Sequence, residues 1–332
     1  MVPPPLVFHV MSHEVSNAKP SPKAKGVAFG VAAGAVWGLV FLAPELAREF
    51  GPLHLAAGRY VAYGLFASFL LKREWSRVSK QLQRKDWISL AWLTLLGNTL
   101  YYVLLVGAVQ KGGIAMTSLV IGFLPVVVAG VGSRDPGAPP LAKLLPSLLV
   151  GLVATVAVAA DSFRRAPMGA QSATLLGLCC AIGALASWSA FAVGNSRALA
   201  RLHHVTAHEW SLLIGVMAGL QGLLVAPFAF FLEPVTANTM GWLRFSVVSI
   251  AVSLLASIVG NAFWNRMSRL LPLTMAGQMV LFETLFALLY GFFWEKRFPT
   301  GLEIIAILCL LASTWACFHA HRTSPEAIAV AA

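Results

Sequence analysis

The chain has 332 residues, of which 58% are apolar and only 11% charged, and its mean hydropathy is +0.77. Because soluble domains carry about 25% charged residues, this composition excludes an ordinary soluble protein. The net charge of +11 comes from basic residues in short loops between apolar runs, without an aromatic-interleaved basic face, so it indicates membrane topology and anionic-lipid contact and no nucleic-acid partner.

A polar, proline-rich segment, residues 1–25, precedes the first apolar run, and we expect it to be a disordered cytoplasmic tail. Apolar runs of roughly 20 residues follow, the length that spans a ~30 Å hydrocarbon core. Charge clusters and Pro/Gly turns separate ten such runs, at about 26–44, 53–71, 87–109, 112–132, 141–160, 173–197, 208–232, 242–264, 272–293 and 301–320. The sequence therefore predicts an all-α polytopic membrane protein with ten transmembrane helices and a cytoplasmic tail at 321–332.

Span one carries a face of small residues. Gly30, Gly34 and Gly38 recur at every fourth position and so lie on one side of the helix. Such faces allow close approach of helix backbones within membranes. We expect this side of span one to pack against another helix.

Lysine and arginine residues indicate the orientation of the spans. With the N-terminus inside, sixteen of them lie in inner segments, chiefly between spans two and three, and seven lie in outer loops. The outer pairs Arg164-Arg165 and Lys296-Arg297 oppose this bias. Cytoplasmic loops carry the excess of basic residues in membrane proteins, so we expect both termini in the cytoplasm.

An internal repeat relates the two halves of the chain. Spans one and six each carry a glycine eleven residues before a mid-helix tryptophan, Trp37 and Trp188, and spans three and eight each carry a Gly-Asn pair. Spans four and five then match spans nine and ten without gaps, so that Pro140 corresponds to Pro299, 159 residues later. The predicted division is a first five-helix repeat at 26–160, a periplasmic linker at 161–172 and a second five-helix repeat at 173–320.

Five is an odd number, so the second repeat enters the membrane from the opposite side. In secondary transporters, inverted repeats surround a substrate site near the membrane midplane, and alternating access moves one part of the protein against the other. The sequence therefore predicts two inverted five-helix repeats around a central cavity, and a carrier for a small-molecule substrate. We expect a monomer in the lipid bilayer.

Five short motifs accompany this layout: mid-helix Trp37, Pro52, Gly58-Arg59-Tyr60 in span two, the turn Phe123-Leu124-Pro125, and Pro299 before span ten. Together they resemble the EamA-type carriers of the drug/metabolite transporter superfamily, over about residues 26–320. The aromatic-rich interior is most similar to that of bacterial aromatic amino-acid exporters. The resemblance implies a ten-span inner-membrane fold with cytoplasmic termini, and efflux of amino acids without a bound cofactor. The second repeat departs from the first, because no arginine opens span seven and Glu283-Thr284 replaces Leu124-Pro125.

Symmetric aromatic and amide residues are the first candidates for a substrate site. Trp37 and Trp188 could flank a substrate side chain by stacking, or could only fill space between helices rich in glycine and alanine. Asn98 and Asn261 could bind a polar ligand or join neighbouring helices. The predicted cavity wall also includes Tyr101, Tyr102 and Trp264, which could instead be anchors at the membrane interface.

Ionisable residues within spans are further candidates. Glu283 is the only carboxylate well inside a span, where a charge costs roughly 2.5–3.5 kcal/mol on insertion scales. It could couple transport to protons, bind a substrate ammonium group, or form a structural hydrogen bond or an ion pair. Gln278, five residues earlier, is added to the predicted cavity. Arg59 lies near the predicted outer end of span two, where anchoring at the interface is favoured over binding a substrate carboxylate.

Other patterns do not favour an enzyme. His203, His204 and His208 lie between spans six and seven, but membrane di-iron enzymes need several such clusters. The four cysteines lie in apolar runs without metal spacing, so we expect no metal site. The alternatives to an amino-acid exporter are a carrier of the same fold for nucleotide-sugars, cationic drugs or other metabolites, and, more remotely, an intramembrane enzyme that uses His204 and His208.

Overall fold

The computed structural model describes residues 22–133, 141–202, 204–271 and 273–322, without the side chains of 273–278, 318 and 320–322. Within these ranges the chain is helical and contains no β-strand. The α-helices are α1 (Pro22–Leu46), α2 (Pro52–Leu71), α3 (Trp75–Gln81), α4 (Arg84–Thr94), α5 (Leu100–Ile121), α6 (Leu124–Gly132), α7 (Leu141–Arg165), α8 (Gln171–Arg201), α9 (Ala207–Leu232), α10 (Thr239–Val252), α11 (Asn261–Leu270), α12 (Leu273–Glu295) and α13 (Gly301–Arg322). Two π-helical segments, Leu95–Thr99 and Ser253–Gly260, join α4 to α5 and α10 to α11. The predicted tails lie outside the described residues except for 22–25 and 321–322.

The described helices contain the ten predicted crossings. Six continuous stretches are long and apolar enough to cross a membrane, namely Pro22–Leu46, Arg84–Ile121, Leu141–Arg165, Gln171–Arg201, Ala207–Leu232 and Thr239–Leu270, and Gly301–Cys317 is a shorter apolar stretch in the same part of the chain. The stretch Arg84–Ile121 holds the third crossing and the start of the fourth, because Gly113, with φ 84° and ψ 166°, breaks the helix between them. α6 continues the fourth crossing, and α2 and α12 are the second and ninth.

The segment between the second and third crossings differs from the sequence prediction. The sequence predicts a charged loop at 72–86, whereas the structure contains the short helix α3 there. Val78 is fully buried, and the ring of Trp75 lies 6.1 Å from that of Trp87. These apolar contacts hold α3 against the bundle, and the high density of charged residues concealed them in the sequence.

Each of two packed units mixes helices from both repeats. α1 packs along α12, α11 and Ser253–Gly260 of the second repeat, whereas α8 packs along α5 and Leu95–Thr99 of the first. We call α1, α10, Ser253–Gly260, α11 and α12 unit one. We call α4, Leu95–Thr99, α5, α6 and α8 unit two. The exchange is symmetric, because α1 and α8 are the first spans of the two repeats. α2 packs with α9 beside both units, and α7 packs with α13.

Glycines allow the closest helix crossings. A Cβ added to Gly64 of α2 would lie 2.5 Å from the Cα of Gly219 in α9. A Cβ on Gly34 of α1 would lie 2.8 Å from the backbone nitrogen of Glu283 in α12, and Gly38 is equally close to that helix. The small-residue face of span one therefore packs against α12, as the sequence indicates.

Ion pairs with exchanged charges join equivalent positions in the two units. At the face where α1 ends, which we call the second face, Arg244 Nη2 lies 2.9 Å from Glu49 Oε1. At the opposite face, the first face, Arg201 Nη2 lies 3.2 Å from Asp86 Oδ1. Each pair connects the end of one repeat's first span to the start of the other repeat's third span. The acidic and basic members have exchanged places between the repeats.

At the two ends of the α2–α9 pair, the acidic and basic partners have likewise exchanged places between the repeats. Glu233, directly after α9, accepts hydrogen bonds from the backbone N–H groups of Leu53 (3.1 Å) and His54 (3.3 Å) and lies 3.1 Å from His54 Nδ1. A carboxylate at this position is stabilised by the N-terminus of α2. At the first face, Arg77 pairs with Glu209 in the first turn of α9, and this hydrogen bond raises the pKa of Arg77.

Two of the basic residues that oppose the charge bias have a structural role. Arg165 and Arg297 both bind Glu303, with Nη2–Oε1 distances of 2.7 Å, and the carboxylate of Glu303 is fully buried. The hydrogen bonds that Arg297 donates to Glu303 raise the pKa of Arg297. These contacts link α7, α13 and the loop before α13. Arg165 and Arg297 are therefore at the second face to bind Glu303, and their positive charges need not indicate which side of the membrane that face occupies.

Candidate functional site

A cavity of about 360 Å³ lies between unit one and unit two, with α2 and α9 along one side. Its wall includes four tryptophans and four asparagines, namely Trp37, Trp188, Trp210 and Trp264, and Asn98, Asn195, Asn261 and Asn265. Arg59 and Glu283 also lie on it, and they carry the only charges among the described residues that line the space. The inverted repeats therefore enclose an aromatic and amide-rich cavity with one charge of each sign.

Seven of the residues selected from the sequence lie on this wall: Trp37, Asn98, Tyr101, Trp188, Asn261, Trp264 and Glu283. Tyr102 does not lie there. It is 1% exposed and packs behind Arg59, whose guanidinium carbon is 4.4 Å from the centre of its ring. Tyr101 lies on the cavity wall, whereas Tyr102, about 100° further around the helix, faces Arg59 and Tyr60. The side chain of Gln278 lies outside the described residues, and contact of any of these residues with a substrate stays a prediction.

The two symmetric tryptophans have different surroundings. Trp37 Nε1 donates a 2.9 Å hydrogen bond to the carbonyl of Ala256, and the Trp37 ring lies 5.2 Å from that of Trp264. The ring of Trp188 packs edge-on against Phe191 at 5.7 Å. Trp37 is therefore held in position by a hydrogen bond, whereas the described contacts of Trp188 are apolar.

The π-helical segments lie at equivalent positions in the two repeats: the first contains Asn98, and the second ends directly before Asn261. Wider π-helical turns free backbone carbonyls and are frequent at functional sites. Each segment accepts a hydrogen bond from the first span of the other repeat: Ala256 from Trp37, and Leu96 from Ser187 at 2.7 Å. These bonds couple the cavity wall to the packing within each unit.

The asparagines differ in their hydrogen bonds. Asn261 Nδ2 donates to the carbonyl of Ser257, one turn earlier in the same helix, at 2.8 Å. This bond joins Asn261 to its own helix and not to a neighbouring one. Asn195 Oδ1 accepts a 2.8 Å hydrogen bond from Trp210 Nε1, which connects α8 to α9 at the wall.

The structure corrects the sequence interpretation of Arg59. The sequence favours an anchor at the membrane interface, but Arg59 is 8% exposed and lines the cavity. Its guanidinium lies over the rings of Tyr102 and Tyr60, at 4.4 and 5.3 Å from their centres. Nη2 is 3.5 Å from Ser257 Oγ, and Nε and Nη1 are buried without an acceptor in the described structure.

Glu283 lies on α12 of unit one, at a close contact between α12 and α1. The backbone at Gly34 leaves no room for a side chain between the two helices, so the depth of Glu283 in the bundle is fixed by the α1–α12 contact. The described ion pairs do not join Glu283 to Arg59. The cavity therefore holds a carboxyl group and a guanidinium group that do not neutralise each other by direct contact.

An aromatic plug lies near the second face, at the end of α2 beyond the cavity residue Arg59. We give this name to Phe50, His54, Phe230, Trp242 and Phe245. Phe50 is fully buried at its centre, with ring centres 4.5 Å from Phe245 and 4.8 Å from Trp242. The plug combines the loop after α1 with α2, α9 and α10, and a Cβ added to Gly58, next to Arg59, would lie 2.5 Å from the ring of Phe245.

Towards the first face, the cavity reaches the junction of α8 and α9. The sequence did not identify Tyr63, Asn195 or Trp210 there. Asn195 could have been found by the rule that selected Asn98, because both are amides in apolar runs. Trp210 has no such signal, since its place on the wall depends on how α9 packs against α2 and α8.

The histidine cluster is only partly described. His203 lies outside the described residues, and the exposed His204 places Nε2 3.2 Å from the carbonyl of Gln81. Among the residues that the structure covers, no three His, Cys, Asp or Glu side chains are grouped so that they could hold a metal ion.

Comparisons with known proteins agree with this architecture. The model of the EamA-like transporter family matches residues 24–158 and again 175–318. Inner membrane protein YtfF of Escherichia coli (strain K12) is 30% identical over 316 residues, which cover 91% of this chain and 96% of that protein. A solved crystal structure of a protein with 18% sequence identity covers 88% of this chain and 96% of its own, with a TM-score of 0.59, and so shows a shared fold. The predicted ten-helix fold of two repeats is confirmed. The chain belongs to the EamA-like transporter family of the drug/metabolite transporter superfamily.

Proposed function

We propose that this protein is a secondary carrier that exports amino acids, aromatic ones favoured, by alternating access. The observation that carries the proposal is the cavity of about 360 Å³ between the two units, with its tryptophans, asparagines, and one charge of each sign. Small-molecule sites are apolar hollows of roughly 300–1,000 Å³ with a few polar groups. Offset or edge-to-face aromatic pairs contribute about 0.5–1.5 kcal/mol beyond area burial, which favours an aromatic side chain in this space.

The difference between the two ends of the cavity supports a direction of transport. The plug residues are not among the described residues that line the cavity, and we propose that the plug separates the cavity from the second face, whereas the cavity extends to the α8–α9 junction near the first face. We propose that substrate enters from the first face and that movement of unit one against unit two opens the plug. With the first face cytoplasmic, this cycle exports its substrate.

We propose an inner-membrane location with both termini in the cytoplasm. The excess of basic residues on the first-face side supports this orientation, and the similar protein from Escherichia coli is named an inner membrane protein. Single cysteines introduced in residues 2–18 and 323–332 of a cysteine-free variant, exposed to a membrane-impermeant thiol reagent in intact cells and in inverted vesicles, test this. Labelling of the two segments from opposite sides contradicts the proposal.

Counterflow in proteoliposomes tests the substrate class. Vesicles loaded with an unlabelled amino acid are diluted into labelled phenylalanine, tryptophan, methionine or threonine. We expect saturable accumulation, fastest with phenylalanine and tryptophan, and none in protein-free vesicles. The Trp188→Ala variant should lower the preference for aromatic over aliphatic amino acids by up to about tenfold, because it removes an aromatic face from the wall. Absence of saturable exchange with all four amino acids contradicts the substrate proposal.

A carrier of the same fold for other cargo is the second candidate. Glu283 on the wall favours cationic drugs or metabolites, which would bind without a carboxylate of their own. Phosphorylated cargo such as nucleotide-sugars finds less support, because Arg59 is the only basic residue among the described lining residues. Competition of unlabelled cationic compounds and nucleotide-sugars with amino-acid counterflow distinguishes these cargoes.

A further inference from the structure

We infer that Arg59 binds a carboxylate group of the transported substrate, so that the cavity selects compounds that carry a carboxylate next to an apolar or aromatic body. This inference rests on the proposed carrier function and assigns the chemistry of one end of its cavity. It makes Arg59 a specificity-determining residue. Neither the family match nor the similarity to YtfF assigns a ligand to any residue.

The first argument is the lack of partners around a buried charge. Only 8% of the surface of Arg59 is exposed, and its Nε and Nη1 atoms have no acceptor among the described groups. The contact of Nη2 with Ser257 Oγ, at 3.5 Å, is at the outer limit of a hydrogen bond. Buried guanidinium groups are normally paired or saturated with hydrogen bonds, so a missing partner of this kind indicates a ligand.

The second argument concerns the alternative that aromatic rings satisfy the charge. The rings of Tyr102 and Tyr60 contact the guanidinium at 4.4 and 5.3 Å, which is the geometry of cation–π attraction. These contacts, together with a hydrogen bond to Tyr102, hold the flat group in place. They leave Nε and Nη1, which lie in the plane of the group, without an acceptor among the described groups. A planar, pre-positioned guanidinium is the side chain best matched to a carboxylate.

The third argument is the charge balance of the cavity. Arg59 and Glu283 are the two charged residues of the described lining, and they are not in direct contact. A dianionic phosphate group would meet one positive charge and one carboxyl group, whereas a monoanionic carboxylate balances Arg59 alone. A carboxylate at Arg59 also places the remainder of a ligand towards the tryptophans on the wall.

The test measures ligand binding to purified protein in detergent, by the ligand-dependent shift of thermal unfolding. The ligands are L-phenylalanine, 3-phenylpropionate, which keeps the carboxylate and lacks the ammonium group, and L-phenylalaninamide, which lacks the carboxylate. We expect the wild type to bind both carboxylates at least tenfold more tightly than the amide. Comparable affinity for all three compounds, or no binding of either carboxylate, overturns the inference.

Variants of two arginines complete the test. Arg59→Gln should abolish the preference for carboxylates over the amide, and Arg59→Lys should retain part of it, because the charge remains but the planar donor geometry is lost. The control is Arg48→Gln, which removes an exposed arginine outside the cavity and should leave the preference unchanged. A full preference in Arg59→Gln overturns the inference, and the Arg59→Lys result carries the test if the glutamine variant does not fold.

The outcome separates this inference from the proposed function. Saturable amino-acid exchange that is independent of Arg59 would overturn the carboxylate assignment and leave the exporter proposal in place. Arg59-dependent binding of 3-phenylpropionate without exchange of any amino acid would support the carboxylate assignment and contradict amino-acid export.

Discussion

Arg59 and Glu283 illustrate which properties of a single residue can be predicted from the sequence. Both stand out as ionisable residues in apolar runs, but their depth and surroundings depend on other helices. Arg59 lies seven residues after Pro52, about 10 Å along α2, which is within reach of water for a long side chain. Yet Arg59 is only 8% exposed, and Phe245 of the aromatic plug packs against the neighbouring Gly58. The plug is formed by segments almost 200 residues apart, so no local pattern could reveal it.

Glu283 is the residue best placed to couple transport to protons. Glu283→Gln keeps the shape of the side chain but cannot exchange a proton at physiological pH. We expect counterflow by the wild type to change severalfold between pH 6 and pH 8, and counterflow by Glu283→Gln to change less than twofold. Arg59 and Tyr101 also face this part of the cavity, and neither titrates in this range in its unperturbed state. Initial rates measured across that pH range check the prediction.

The matched control for this substitution is Glu74→Gln, an exposed carboxylate paired with Arg77 outside the cavity. It should retain the pH dependence of the wild type. The thermal unfolding temperature of both variants shows whether the protein remains folded. Wild-type pH dependence in a folded Glu283→Gln variant removes Glu283 from the coupling step.

At the scale of helices, the number and type of elements followed from apolar run length, whereas their irregularities did not. Lengths of roughly 20 residues predicted the crossings, and the helix α3 was missed because its surface is strongly charged. The π-helical segments Leu95–Thr99 and Ser253–Gly260 were not predicted either, since their free carbonyls are satisfied by side chains of the opposite repeat. Such features depend on tertiary contacts and leave no periodic signal.

The crossing of α2 and α9 gives a prediction at this scale. A methyl group at Gly64 would lie 2.5 Å from the Cα of Gly219, so the two backbones must separate. We expect Gly64→Ala to lower the stability by about 1–3 kcal/mol, the usual cost of overpacking, and to slow counterflow by at least fivefold. Gly132→Ala is the control, because no atom of the described residues lies within 4 Å of a Cβ at that position. Unfolding temperature and counterflow equal to those of Gly132→Ala would contradict the prediction.

At the scale of the whole molecule, the repeat was readable from sequence and the exchange of helices between repeats was not. The 159-residue spacing and the paired tryptophans predicted two inverted halves. They do not indicate that α1 packs with the second repeat and α8 with the first, because equivalent helices have equally apolar surfaces. The charge-exchanged pairs Glu49–Arg244 and Asp86–Arg201 belong to these mixed units. We therefore expect the units, and not the sequence halves, to move as bodies.

Two engineered disulfides distinguish movement between units from movement within a unit. Ile114 and Gly291 face each other across the two units near the second face, and a Cβ on Gly291 would lie 3.1 Å from that of Ile114. Gly26 and Leu270 face each other within unit one near the first face, and a Cβ on Gly26 would lie 3.0 Å from that of Leu270. Both distances are slightly shorter than the roughly 3.5–4.5 Å of a disulfide, so each pair can be bridged with a small adjustment.

In a variant without the native cysteines, we expect the disulfide between Ile114→Cys and Gly291→Cys to stop counterflow, because it prevents the second face from opening. Reduction of the disulfide should restore transport. The disulfide between Gly26→Cys and Leu270→Cys should leave the rate within about twofold of its reduced form, because these positions stay together if unit one moves as a body. Equal inhibition by both disulfides would mean that unit one deforms during transport, and full activity with the Ile114–Gly291 bridge closed would mean that the substrate leaves without separation of the units at the second face.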